Sequence, residues 1–287
     1  MSEPLPAPSR PPHSLENARL FGVARLVGLG VACLVGLTGL LWLIERGLGP
    51  MELPPERLPP VRLPDFRSIA SVDERKDAFF TFLLPFAEAA NAEILRDREQ
   101  LRAFRSHLQA GRSLRSADAD WVRALSVHYR LPEPGEISVT EIDQLLGRVD
   151  VIPASLALAQ AALESAWGTS RFAREGNNLF GMWCYTPGCG IVPARRPAGA
   201  RHEVARYDSP EDSFAAYVHN LNTNAAYEPL RRIRRDLRAR GQPIGAYALA
   251  PGLIRYSQER EVYVRKVRSL VRVNDLARFD HPAEDRR

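Results

Sequence analysis

Residues 153–168, PASLALAQAALESAWG, decide the fold class. Pro153 suits the first turn of a helix, where a missing N–H costs nothing, and Gly168 suits the residue that ends one. Alanine and leucine fill the space between, so this helix has almost no polar face and belongs inside a larger helical body. Glu164 is the one ionisable side chain between Asp150 and Arg171. On a helix it shares a face with Gln160 and Trp167. A carboxyl set among alanines and leucines loses hydration, which raises its pKa toward that of a general acid working near neutral pH. The competing expectation is an ordinary glutamate at the exposed edge of an amphipathic helix.

Upstream, Ser71 or Asp73 caps a helix carrying Phe79, Phe82, Leu83 and Phe86, and a further helix is expected over 93–109. Ser116 with Asp118 opens another, with Trp121, Leu125 and Tyr129 inward, and Ser138 with Glu141 forms a capping box ahead of Ile142, Leu145 and Leu146. Downstream, residues 177–207 turn to glycine, proline and short alternations, which predicts loops and a small hairpin. Helices resume where Ser209 caps and Pro210 takes the first turn, with Phe214, Tyr217, Val218 and Leu221 facing in. Basic helices follow near 230–240 and 259–273. The whole is mainly α, with a helical region over 71–149 and a second unit over 150–274; whether the two pack together or form separate modules stays open.

The chain has 287 residues, 45% of them hydrophobic, enough for a buried core, and a formal net charge of +5. That charge favours acidic partners without choosing among them. The uncharged run LVGLGVACLVGLTGLLWLI, residues 26–44, is long enough to cross a hydrocarbon core about 30 Å thick. A transmembrane helix is expected over 19–46, between a disordered cytoplasmic tail at 1–18 and a proline-rich linker at 47–70. A cleaved signal peptide is the closer rival, opposed by the length of the run and the lack of a small-x-small site after Trp42. Arg10, Arg19 and Arg25 before the span tip the balance weakly toward an exported body. Residues 275–287 are expected as a disordered tail.

Of the three cysteines, Cys33 lies in the apolar run, leaving Cys184 and Cys189 around Tyr-Thr-Pro-Gly. In an oxidising periplasm these two are expected as a disulfide. Zinc would need more ligands than His202 supplies, and no base marks either thiol as a nucleophile. Arg231, Arg232, Arg234, Arg235, Arg238 and Arg240 make one helix strongly basic: a solvated face in the ordinary case, or an attachment to anionic headgroups or peptide carboxylates. Nucleic acid is disfavoured, since no recognised binding motif occurs.

After ALESAWG comes GNNLFGMW, residues 176–183. The two motifs together resemble the bacterial glucosaminidase family, and the stretch from CYTPGCG onward is similar to the membrane-anchored Bax-type proteins of Gram-negative bacteria. The resemblance spans 150–274. It implies a lysozyme-like fold and cleavage of a β-1,4 bond on the reducing side of N-acetylglucosamine in peptidoglycan, without metal or cofactor. The family's catalytic glutamate carries over as Glu164. Asn178, Leu179, Phe180 and Gly181 carry over as a turn shaping the cleft floor, and Tyr256 and Tyr263 as cleft-side tyrosines. The competing readings are ordinary core or surface aromatics for the two tyrosines and packing for Phe180. Asn178, Phe180, Trp183, Tyr256 and Tyr263 are the substrate-binding candidates. Glycosidases ordinarily use two carboxyls. The family's second one rides a hairpin after that turn, where Glu203 is the only carboxylate between Glu175 and Asp208, so Glu203 is the candidate. A strand-edge glutamate and assistance by the substrate's own acetamido group are the alternatives there. For the whole protein they are a lytic transglycosylase using the same glutamate and a non-catalytic glycan binder.

Overall fold

The computed structural model describes residues 61–280. The transmembrane span, the N-terminal tail and most of the linker expected from sequence lie outside them. What is described is mostly helical, with one small sheet.

Helix α1, Val72–Gln109, opens on the Ser71 hydroxyl and runs unbroken through the place where two helices were expected. Pro85 lies inside it and removes one hydrogen bond. Buried Phe79, Phe80 and Leu83 before the proline, and Ile94 and Leu101 after it, fasten both halves to one core and keep the rod continuous. By length and composition α1 is apolar enough to cross a membrane, but its inner face packs against the body.

Helices α2 (Ser116–His128) and α3 (Val139–Arg148) follow, the latter with the Ser138–Glu141 capping box. Next are α4 (Ala154–Ser165), which is the quoted segment, and the short α5 (Arg171–Gly176). The expected hairpin is a three-stranded antiparallel sheet: β1 (Trp183–Cys184) and β2 (Gly190–Ile191) flank β3 (Glu203–Ala205), with Trp183 opposite Val204 and Gly190 opposite Ala205. Then come α6 (Pro210–Thr223), α7 (Glu228–Ala239), α8 (Ala246–Leu249) and α9 (Glu261–Val273).

Residues 61–149 and the rest share one hydrophobic core. Asn91 Nδ2 donates to the Ile152 carbonyl and its Oδ1 accepts from the Ile152 N–H. Arg98 donates to the carbonyls of Leu146 and Val149. Both ends of the body also correct the sequence expectation. Phe66, assigned to the linker, is 1% exposed and its ring meets Phe79 edge-on at 5.4 Å. At the other end, residues 276–280, assigned to a disordered tail, form a 3-10 turn with Leu276 buried. There Asp280 accepts from the backbone N–H and the hydroxyl of Ser155, at 2.9 and 2.6 Å.

The basic helix α7 is not a uniformly solvated face. Arg231 and Arg234 are buried, and their guanidiniums cap backbone carbonyls of Leu221, Asn224, Asp150 and Val151. Arg238 pairs with Asp150 at 2.7 Å, and Arg98 and Arg234 approach the same carboxylate at 3.5 and 3.7 Å. Burial alone would push the Asp150 carboxyl up, but these three cations outweigh it and hold its pKa below the usual carboxylate range.

Candidate active site

Nearly every residue of α4 is buried; Leu163 and Glu164 alone are partly open. The helix ends abruptly. Ala166, Trp167 and Gly168 have φ of 50°, 60° and 73°, three left-handed residues in succession. Two of them bear side chains that disfavour this conformation. The turn is held by the Ser165 hydroxyl, which accepts from Gly168 N–H, and by the Trp167 ring, which meets Phe79 and Phe80 edge-on at 5.7 and 5.3 Å. Gly168 also has no room for a side chain: a Cβ there would lie 2.6 Å from the Phe66 ring.

Glu164 sits at the end of a directed run of hydrogen bonds. The Tyr217 hydroxyl donates to Gln160 Oε1 at 2.7 Å, and Gln160 Nε2 donates to the Tyr263 hydroxyl at 2.8 Å. The Tyr263 proton is thereby left for the Glu164 carboxyl, to which it is hydrogen-bonded. Burial raises the pKa of Glu164; the Tyr263 bond works against this, and the charge of Glu259 adds to it, leaving the net shift upward. Burial likewise pushes Tyr217, Tyr256 and Tyr263 well above the ordinary phenol range and Tyr227 up to about 12, so all four remain neutral. A carboxyl whose protonated form is favoured by burial, in a frame of neutral phenols, suits proton delivery to a leaving oxygen.

The turn after α5 closes one side. Gly181 has φ 64° and a Cβ there would stand 3.5 Å from Glu164 Oε2, so the chain runs directly over the carboxyl. Asn178, expected on the substrate side, is 1% exposed and has another task. Its Nδ2 donates to the carbonyls of Met182 and Ala205, both at 2.8 Å, and its Oδ1 accepts from Met182 N–H, so it stitches the turn to β3. Phe180 is also interior, stacked on Tyr217 at 3.9 Å, and acts as packing. Tyr256 donates to the Phe180 carbonyl at 2.9 Å and stacks on Tyr263 at 5.3 Å. Trp183 lies two residues beyond Gly181, hence within about 8 Å of it by chain geometry. The Trp183 ring is 41% exposed and one face is stacked on His202 at 4.2 Å.

Glu203 is brought elsewhere. Its carboxylate accepts from the N–H groups of Gly188 and Gly190 at 3.1 and 2.9 Å, and these two bonds hold its pKa below the ordinary range. Gly188 belongs to the loop closed by the Cys184–Cys189 disulfide, and Gly190 follows it at the start of β2. The two sulfurs and Glu203 lie within 4.8 Å of one another, but sulfurs joined to each other offer no thiolate for a metal. The acid thus fastens a stapled loop and is occupied as a base candidate. Tyr227 and Asn220, hydrogen-bonded to each other, join the site without having been singled out by sequence.

Two comparisons with known proteins bear on this geometry. The family described as mannosyl-glycoprotein endo-beta-N-acetylglucosaminidase matches residues 140–276. Protein bax of Escherichia coli (strain K12) is 35% identical over 199 residues, 69% of this chain and 69% of that protein. No solved structure matches.

Proposed function

The chain belongs to the glucosaminidase family, and from that premise we propose that it is an endo-acting N-acetylglucosaminidase hydrolysing the β-1,4 bond on the reducing side of N-acetylglucosamine in peptidoglycan. Glu164 is the general acid. The observation that carries this is the directed chain Tyr217, Gln160, Tyr263, Glu164, which orients one desolvated carboxyl and supplies it with no competing base. Burial favours the protonated form of Glu164, the form that gives its proton to a glycosidic oxygen, and Tyr263 then stabilises the carboxylate left behind. Tyr256 and Tyr263 wall the reacting sugar, and the open face of Trp183 stacks on a neighbouring one. In this proposal the fold is lysozyme-like, and the apolar segment at 19–46 anchors the protein in the inner membrane with the body in the periplasm.

The occupied state of Glu203 favours one second possibility, a lytic transglycosylase, which also works with a single glutamate. The products decide between the two. Purified sacculi digested with the full-length protein in detergent should release reducing N-acetylglucosamine ends, read by mass spectrometry, and Glu164→Gln should release none. Anhydro-muramyl ends refute hydrolysis. Sacculus binding without product, unchanged in Glu164→Gln, refutes catalysis altogether.

A further inference from the structure

The positive charge of the chain is used unevenly. On α7, the helix expected from sequence to meet acidic partners, Arg231 and Arg234 are seated on carbonyls and Arg238 pairs with Asp150. Arg232 and Arg235 pair with Glu228 at 3.3 and 3.4 Å. From α5 to the end of the sheet the balance is different. Residues 171–206 hold Arg171, Arg174, Arg195, Arg196, Arg201 and Arg206 against Glu175 and Glu203 alone. The Glu203 oxygens are taken by the Gly188 and Gly190 amides, and Arg196 feels that charge without pairing to it. Among the described residues, Arg171, Arg195, Arg196 and Arg201 form no ion pair.

The backbone holds these arginines in place without neutralising them. The loop of residues 192–202, between β2 and β3, makes two successive turns. They are closed by the Arg196 N–H on the Pro193 carbonyl and the Ala200 N–H on the Pro197 carbonyl, both at 3.1 Å, the second with Gly199 at φ 81°. Arg196 Nη1 donates to the His202 carbonyl at 3.3 Å, and Arg171 reaches from the start of α5 to the Val192 carbonyl at 2.9 Å. Each guanidinium spends one N–H this way and keeps the others for a further acceptor. Arg201 is exposed and immediately precedes His202. The His202 ring is stacked on Trp183, which follows the Gly181 turn that runs over Glu164. The cations therefore stand beside the aromatic platform assigned above to a neighbouring sugar.

We propose that Arg171, Arg196 and Arg201 form a subsite for the carboxylates of the peptide stem on a muramic acid next to the cleaved N-acetylglucosamine, so that glycan still bearing its peptides is the preferred substrate. This deepens, and rests on, the reading of the chain as acting on peptidoglycan. A planar guanidinium offers a carboxylate two parallel N–H groups, and the two arginines held in advance lose little freedom on binding. Anionic lipid headgroups share this charge chemistry. The continuity of the patch with the Trp183 platform and the Gly181 turn favours a ligand that reaches both, as a stem attached to the glycan does.

The test presents the full-length protein in detergent with two fluorescently labelled glycans, one bearing peptide stems and one stripped of them by an amidase, and reads cleavage and anisotropy on each. KM and Kd should be about 5–30-fold lower for the peptide-bearing glycan at low salt. That gap should close toward about 1 M salt. Equal values for the two glycans, or a gap indifferent to salt, overturn the proposal. Arg196→Gln combined with Arg201→Gln should raise the KM of the peptide-bearing glycan toward that of the stripped one, with a far smaller change on the latter, and the corresponding lysine pair should recover part of the loss. An equal loss on both glycans overturns it. If the double variant fails to fold, Arg201→Gln alone, at an exposed position, should shift the KM of peptide-bearing glycan by about 2–5-fold, and an unmoved KM there overturns it as well. Binding to phosphatidylglycerol vesicles that is lost in the double variant, without discrimination between the two glycans, gives the arginines to a lipid surface and refutes the stem subsite. Tighter binding of the peptide-bearing glycan with no cleavage of either upholds the subsite and refutes the hydrolase, so the two failures are told apart.

Discussion

Replacing Phe79 by alanine tests whether a helix lying before the family-matched segment braces the catalytic one. Phe79 is wholly buried, meets Phe66, Phe80 and Trp167 edge-on, and borders Gly168 at 3.3 Å from where its Cβ would stand. Truncating a buried phenylalanine costs about 3–5 kcal/mol in transfer and cavity terms. Against a typical total of about 5–15 kcal/mol that is a large share, and for a body of this size it lowers Tm by about 6–20 °C. Lost packing against Trp167 also frees the left-handed turn next to Glu164, so kcat should fall more than KM rises at temperatures where the variant remains folded. Urea titration followed by circular dichroism gives the first quantity, and glycan end-group release the second. A loss under about 1 kcal/mol, or full kcat with the stability gone, would show that α1 merely lies alongside the catalytic helix.

Asp150→Asn leaves Arg234, whose side chain is fully buried, facing an amide instead of a carboxylate, and should cost about 3–5 kcal/mol in chemical denaturation. Because the folded-state pKa of Asp150 is depressed, the wild type should hold this stability above the ordinary aspartate range and lose it as pH falls through the folded-state value, while the variant's stability shows no such loss. Glu164 has the opposite sign: its raised pKa makes the folded state lose stability as pH rises through it, so Glu164→Gln should melt at or above the wild-type temperature at pH 8 and match it at pH 4. Glu203→Gln should retain kcat within a few-fold but expose the Gly188 and Gly190 amides to faster hydrogen exchange; a catalytic collapse with protected amides would return Glu203 to the reaction.

Local signals are what the sequence made legible. The Ser138 and Ser209 capping boxes and Pro210 in a first turn each depend on neighbours a few residues away, and each stands where its pattern put it. The apolar helix, expected to run to Trp167, instead ends at Ser165 because Ala166 and Trp167 turn left-handed. The desolvated setting of Glu164 was legible because its neighbours offered no other charge. Asn178 and Glu203 show the limit: a polar side chain quoted from a motif reads the same whether it faces a ligand or its own backbone, and both are taken up internally. Tyr227 reaches the site only through tertiary packing, beside Tyr256, so no spacing announces it. Arg231 and Arg234 looked like solvated charges because periodicity cannot tell a guanidinium in water from one seated on carbonyls.

Helix α4 has no side-chain cap of its own at Pro153; the acceptor for its first-turn N–H comes from Asp280, late in the chain. An acceptor of this kind is worth about 0.5–2 kcal/mol to a helix. During synthesis the segment bearing Glu164 therefore waits for Asp280, 116 residues further along, to emerge before its opening turn is secured. A chain stopped before Asp280 carries Glu164 on a helix whose opening turn lacks that acceptor.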